Sequence, residues 1–300
     1  MDIAQLKETL YDGKRKAVIL DTDTYNEVDD QYALAYAMLS PDKVDLLAIT
    51  VAPFKNSRAQ TPGEGMEKSY KEAFHIRGLV DERSEVPIYR GSTTYLPDKH
   101  TPVVSEAAEQ IVRLVRESAE TVYIVAVGAI TNVASALLLA PDIADKAAVI
   151  WLGGTAQHWK HNHEFNLFQD VPAAQVVFEQ AKNFVQIPCA GVCTEFSTSI
   201  PELQYHLGGK NALCDYLLEL TANYNKLHEN TAVWSKVIWD VTAVAAVVAP
   251  ETLEMVQMPR PIVTDSENYA FDMGTPHYLY VRRIKRDALY TDLFKKLASK

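Results

Sequence analysis

Short apolar runs alternate along this chain with stretches whose apolar positions recur every three or four residues. The first pattern predicts buried strands and the second amphipathic helices. Residues 2–11 read as a short helix, broken at Gly13 and Lys14. Residues 17–20 form a first strand, and Tyr32, Ala33, Tyr36 and Ala37 give the next helix its apolar face, which stops near Pro41. A second strand spans 44–50, followed by an irregular polar segment, 52–65, long enough to suggest a functional loop. Then come a helix over 66–76, a strand over 86–89, a loop over 92–102 and a helix over 104–118. A strand at 121–127 turns through 128–132 into a helix ending at Pro141, and a strand at 147–152 opens into Gly153-Gly154. The polar loop 155–170, a helix over 173–181 and a strand over 184–187 follow. Helices over 210–229 and 241–248, strands near 253–258 and 277–281, and a terminal helix complete the chain.

Strands that alternate with helices predict an α/β fold, an open, mainly parallel, doubly wound (Rossmann-like) sheet with helices on both faces. The whole chain, 1–300, is expected to form one such domain. Ligands of these sheets bind outside the carboxyl ends of the strands. Four strand exits here are polar: 21–30, the loop after Thr50, 128–132, and the loop after Leu152. The first is the most unusual. Asp21, Asp23, Glu27, Asp29 and Asp30 fall within ten positions between a strand and a helix. Clustered carboxylates repel, and an unpaired buried one costs several kcal/mol, so such a turn calls for a cation. Oxygen ligands alone favour a hard ion, Ca²⁺ or Mg²⁺, over zinc. The plain alternative is a solvated acidic loop capping a helix N-terminus.

Composition narrows the partners. An apolar fraction of 48% with 23% charged residues describes a globular chain with a sizeable core. A net charge of −10 without an offsetting basic block argues against nucleic acid. Cys189, Cys193 and Cys214 lack CxxC spacing and predict reduced, buried thiols in a cytoplasmic protein. No run reaches transmembrane length, so no membrane association is expected.

Four segments in this order resemble the inosine–uridine nucleoside hydrolase family. They are Asp21-Thr-Asp23 before Asp29-Asp30, residues 127–134 (Val-Gly-Ala-Ile-Thr-Asn-Val-Ala), Leu152-Gly-Gly154 with Glu164-Phe-Asn166, and Trp239-Asp240 heading a small-residue helix. The resemblance implies the nucleoside hydrolase fold and hydrolysis of the N-glycosidic bond of ribonucleosides to base and ribose, in nucleoside salvage. It implies a Ca²⁺ ion held by Asp23, Asp30, Asp240 and the Val127 carbonyl, with Asp23 deprotonating a water. Asp29, Glu164 and Asn166 would bind the sugar, Glu164 and Asn166 at its 5′ end, and Asn56 would contact the substrate. Trp239 would stack on the base, favouring purines, and solvent or a loop histidine such as His158 would protonate it as it leaves. A homo-oligomer, dimer or tetramer, is also implied. The chemistry suits these residue types, because carboxylates around the sugar stabilise a ribosyl cation.

Two departures from the family pattern stand out. Five residues, Thr24 to Val28, separate the second and third aspartates where the family has three, so Glu27 would reach the metal or replace a ligand. The family's asparagine after the second strand has its best counterpart in Asn56. Two rival readings share these residues. A haloacid-dehalogenase-like phosphatase would use Asp21 as nucleophile, and a nucleoside-binding protein would keep the site without turnover. A calcium-binding helical hand is excluded by the missing glycine and by Tyr32 at its twelfth position.

Overall fold

The structure is a computed structural model and describes residues 2–228 and 233–300. Helix α1 (Ile3–Tyr11) leads to strand β1 (Lys16–Thr22), α2 (Asp30–Met38), β2 (Val44–Val51), α3 (Pro62–Val80) and the two-residue β3 (Ile88–Tyr89). Next come α4 (Glu106–Glu117), β4 (Val122–Ala126), α5 (Thr131–Leu139), β5 (Ala147–Leu152), α6 (Phe165–Gln169), α7 (Val171–Gln180) and β6 (Asn183–Ile187). The last third holds β7 (Ser197–Thr198), α8 (Ile200–Leu207), α9 (Ala212–His228), β8 (Lys236–Val237) and α10 (Val241–Val248). It closes with β9 (Leu253–Pro259), β10 (Ile262–Val263), β11 (Tyr269–Ala270), β12 (His277–Ile284) and α11 (Arg286–Ala298).

Eight strands form one sheet in the order β3-β2-β1-β4-β5-β6-β12-β9, parallel except for the edge pair β12–β9. Period-two alternation gives the sheet two cores. Val18, Leu20, Tyr123, Val125, Ala148 and Ile150 face one side, packed by α1, α2, α3, α8, α9, α10 and α11. Ile19, Val122, Ile124, Val149 and Trp151 face the other, packed by α4, α5 and α7. The near-continuous apolar strands are what burial on both faces demands.

The strand order reverses at β1, which pairs with β2 on one side and β4 on the other. Leu20 lies beside Val125 and Asp21 beside Ala126. The ends of β1 and β4 therefore frame the crevice where doubly wound sheets bind ligands.

Three expectations change. The segment after β2 ends earlier, because Thr61 caps α3 by accepting a bond from the Glu64 N–H at 3.1 Å, with Pro62 in the first turn. The polar loop 155–170 contains α6, nucleated by Glu164 as N-cap. Helix α8, capped by Ser199, and the β10–β11 hairpin were not anticipated; both are too short for a clear period. The helix expected over 210–229 is seen as α9, while Glu229 lies outside the described residues.

Candidate active site

Asp29 and Asp240 occupy the N-cap positions of α2 and α10, yet neither side chain caps its helix. Both carboxylates turn instead into a shared cleft with Asp30, and ligand oxygens of the three lie within 4.8 Å of one another. Two helix N-termini thus aim their positive ends at the same acidic cluster. The Asp30 carboxylate is fixed by the Thr22 hydroxyl, which donates to it at 2.5 Å. Asp21 plays a supporting part: it accepts bonds from the Thr50 hydroxyl (2.7 Å) and the Asn132 amide (2.8 Å), tying β1, β2 and α5 together. Burial pushes Asp21 up to about 6, against those two bonds.

Asp23 is the least compensated group. It is 1% exposed, and neither of its carboxylate oxygens has a hydrogen-bond partner. Burial and the facing carboxylates of Asp30 and Asp29 hold its acid form well above the usual range. Asp240 is raised by burial and by Asp29, Asp30 and Asp23. Asp29 is lifted to about 7 by burial, with the Lys236 ammonium working in the opposite direction. Buried carboxylates of one sign, from three segments of chain and with Asp23 unpartnered, have the donor set of a hard divalent cation. The residues present fit such an ion.

The cleft has a volume of about 260 Å³. Of the residues proposed from sequence, it brings together Asp23, Asp29, Asp30, Val127, Glu164, Asn166, Trp239 and Asp240. Asn56 and His158 are not among its lining. Asn56 stands one layer back, where its amide donates to the Asn26 side chain at 2.8 Å, and Asn26 itself lines the cleft. His158 is exposed, whereas His161 and His163 reach the wall.

The lengthened turn 24–28 is secured from outside. The Tyr25 N–H donates to the Ser69 hydroxyl of α3 at 3.1 Å, and Arg58 donates to the Glu27 carbonyl at 3.0 Å. Glu27 does not join the carboxylate cluster. It pairs with the buried Lys236 and accepts from the Tyr224 hydroxyl at 3.3 Å. The sequence reading missed Lys236, which sits in a stretch without periodic signal and whose partner Glu27 is 209 residues away.

The opposite wall is built around Glu164. Its carboxylate accepts the N–H groups of Gly154 (2.8 Å), Asn166 (3.0 Å) and Leu167 (3.1 Å). Gly154 adopts φ +72°, which favours glycine, and a Cβ there would meet the Tyr269 hydroxyl at 2.1 Å. The Asn166 amide donates to the carbonyls of Val127 (2.9 Å) and Leu152 (3.0 Å), joining the ends of β4 and β5. Across the loop, the Glu267 carboxylate anchors His163 through a hydrogen bond with its Nδ1 at 2.6 Å and the Glu267 carbonyl takes the Asn162 amide at 2.8 Å. Nothing in the local sequence connects residues so far apart.

A family profile described as inosine-uridine preferring nucleoside hydrolase matches residues 18–277, from β1 to the first residue of β12. An inosine-uridine preferring nucleoside hydrolase of Leishmania major is 25% identical over 273 residues, covering 81% of this chain and 82% of the relative. The pyrimidine-specific ribonucleoside hydrolase RihA of Escherichia coli O8 (strain IAI1) is 26% identical over 301 residues, covering 90% and 91%. Among solved structures, a purine-preferring ribonucleoside hydrolase from Gardnerella vaginalis superposes with a TM-score of 0.79 at 20% identity, covering 95% of this chain and 98% of that one. That likeness speaks for the fold. The phosphatase reading falls with these matches, and Asp21, its required nucleophile, is held through one oxygen by Thr50 and Asn132 and does not line the cleft. A match running almost from end to end, over a crevice with these carboxylates, places the chain in the inosine-uridine preferring nucleoside hydrolase family, as a nucleoside N-glycosyl hydrolase.

Proposed function

We propose that the protein hydrolyses the N-glycosidic bond of ribonucleosides, with a lean towards purines, and that its resident ion is Ca²⁺. The observation that carries this reading is the unpartnered Asp23 carboxylate beside the Asp29–Asp30–Asp240 cluster, in a cleft also lined by Trp239. Asp23, Asp30, Asp240 and the Val127 carbonyl would hold the ion. A bound divalent cation supplies a Lewis acid that neutralises these carboxylates, anchors sugar hydroxyls and acidifies a water.

The chain's own groups do the rest. Asp23 accepts the proton of the attacking water, and Asp29 accepts a hydrogen bond from a ribose hydroxyl. The carboxylates stabilise the positive charge that develops on the ribosyl ring. Asn166, its amide N–H₂ engaged by two carbonyls, keeps its oxygen for the sugar, and Glu164 shapes the wall at the 5′ end. Trp239 is half-buried against the core and offers its remaining face to the base. Protonation of the leaving base falls to solvent or to His161 or His163, which line the cleft, in preference to His158.

Release of free base and reducing sugar from a panel of ribonucleosides, deoxyribonucleosides and nucleotides tests the reading. Ribonucleosides are cleaved, activity is lost on chelation, and Ca²⁺ restores it. A protein that binds nucleosides and releases no base is the binding protein without turnover.

A further inference from the structure

The lengthened turn between Asp23 and Asp29 places two polar side chains, Asn26 and Glu27, on the wall of the cleft. Both are held in fixed roles by residues behind them. The oxygen of the Asn26 amide is taken by the Asn56 amide at 2.8 Å, which leaves the Asn26 nitrogen as the group available to a ligand. The Glu27 carboxylate is gripped by the Lys236 ammonium and by the Tyr224 hydroxyl. Lys236 is almost fully buried, its side chain 8% exposed, whereas the Glu27 side chain keeps 35% of its surface open. Burial works against the charge on Lys236, but the carboxylates of Asp29 and Glu27 outweigh it. The ammonium also lies 5.3 Å from the centroid of the Tyr224 ring, so the cation is enclosed and the carboxylate is the partner that faces out.

Glu27 lines the cleft together with Trp239, the residue that the proposed function gives to the base. Lys236 belongs to the same short segment as Trp239 and Asp240, and its bond to Glu27 clamps that segment to the turn. The 5′ end of the sugar is assigned to the far wall, around Glu164 and Asn166.

We infer that Asn26 and Glu27 read the edge of the base, as an N–H donor beside a carboxylate acceptor, and that they select 6-oxopurine nucleosides such as inosine and guanosine. The inference rests on the nucleoside hydrolase reading of the site. A 6-oxopurine presents a carbonyl oxygen next to N1–H, the complement of an amide donor next to a carboxylate. Unsubstituted purine presents no N–H on that edge. Such a ring offers the Glu27 carboxylate no donor, and sites built to bond an N–H reject analogues lacking it. Lys236 and Tyr224 act as positioning residues, since they fix Glu27 without lining the cleft.

The experiment compares kcat/KM for inosine, purine riboside and p-nitrophenyl riboside, whose aglycone offers neither group. Wild type is expected to favour inosine over purine riboside by about 10- to 100-fold. Glu27→Gln should collapse that preference while p-nitrophenyl riboside is cleaved within about threefold of wild type. Because Glu27→Gln leaves a buried ammonium unpaired, the double variant Glu27→Gln/Lys236→Met serves as the second test and should show the same collapse. A wild type without the preference, or a preference that survives either substitution, overturns the inference. So does loss of all three substrates in both variants, which would make Glu27 a support of the site as a whole. A wild type inert towards every riboside refutes the hydrolase reading itself, a separate result.

Discussion

Gly128 and Asp23 face each other with room for a hydrogen and nothing larger: a Cβ on residue 128 would stand 3.0 Å from the Asp23 carboxylate carbon and 3.1 Å from the Ala52 Cβ. The glycine after β4 thereby lets the most deeply isolated carboxylate of the site keep its position. Gly128→Ala should push Asp23 aside without disturbing the sheet. Calcium titration is expected to show affinity weakened by about tenfold or more, as for other groups that orient ligands, with an unchanged circular dichroism spectrum. Unaltered affinity would mean that Asp23 does not reach the ion.

Asp240 enters the cluster from α10, more than two hundred residues away from Asp29 and Asp30 in sequence. Asp240→Ala, Asp30→Ala and Asp23→Ala should each abolish turnover and calcium binding, because the remaining carboxylates are left without a complete ligand set. Calorimetry of calcium binding separates this from a purely catalytic defect. An Asp240→Ala protein with full metal content and activity would refute the assignment.

The pH dependence of stability follows from the raised acids. Burial holds Asp21 at about 6 and Asp29 at about 7 in the folded chain, both above the ordinary value of 3.8. A raised acid stabilises the fold while protonated, so that contribution is present below about pH 4 and is lost as pH rises through 6 to 7. For one fully buried carboxylate displaced by two units the loss is on the order of 2–3 kcal/mol. The metal-free protein should therefore melt at lower temperature at pH 8 than at pH 5. Added Ca²⁺ should restore the melting temperature at pH 8 and do little at pH 5, where the carboxylates hold protons. Scanning calorimetry over this range decides it.

Glu164 carries three backbone N–H groups at the start of α6 and the end of β5, so its loss is structural as well as functional. Glu164→Ala should cost about 2 kcal/mol in urea unfolding, the range for a lost cap and buried donors. It should lower turnover of all nucleosides alike. A change confined to one base would show that Glu164 reads something other than the sugar.

Trp239 tests the purine lean. Wild type should prefer inosine to uridine, and Trp239→Ala should narrow that ratio, since an indole face holds a large flat ring better than a small one. A preference for uridine, or a ratio that the substitution leaves alone, removes stacking from the account.

Much of this protein could be read from one dimension. The strands at 17–20, 44–50, 121–127 and 147–152 are apolar on both faces because the sheet is covered on both, and such runs announce themselves. Acidic residues at a strand exit announce a site in the same way, since no core would tolerate them unpaired. Asp23 and Asp30 were therefore visible as candidates before any fold was known, whereas Asp240, a lone acid heading a helix, was reached only through the family resemblance. What the sequence alone left open was the identity of partners joined only by tertiary contact. Glu27 sits three residues from Asp30 and reads as a rival ligand, until Lys236 arrives from 209 residues away and takes its carboxylate. Among the loop histidines, position along the chain gave no reason to prefer His163 over His158; Glu267, brought by a hairpin 104 residues later, anchors one of them at the wall. Asn56 looked like a substrate ligand and is found donating to Asn26, one layer behind the cleft. Periodicity reports burial, which each residue carries in its own chemistry, whereas pairing depends on which distant segments the sheet order brings to the same crevice.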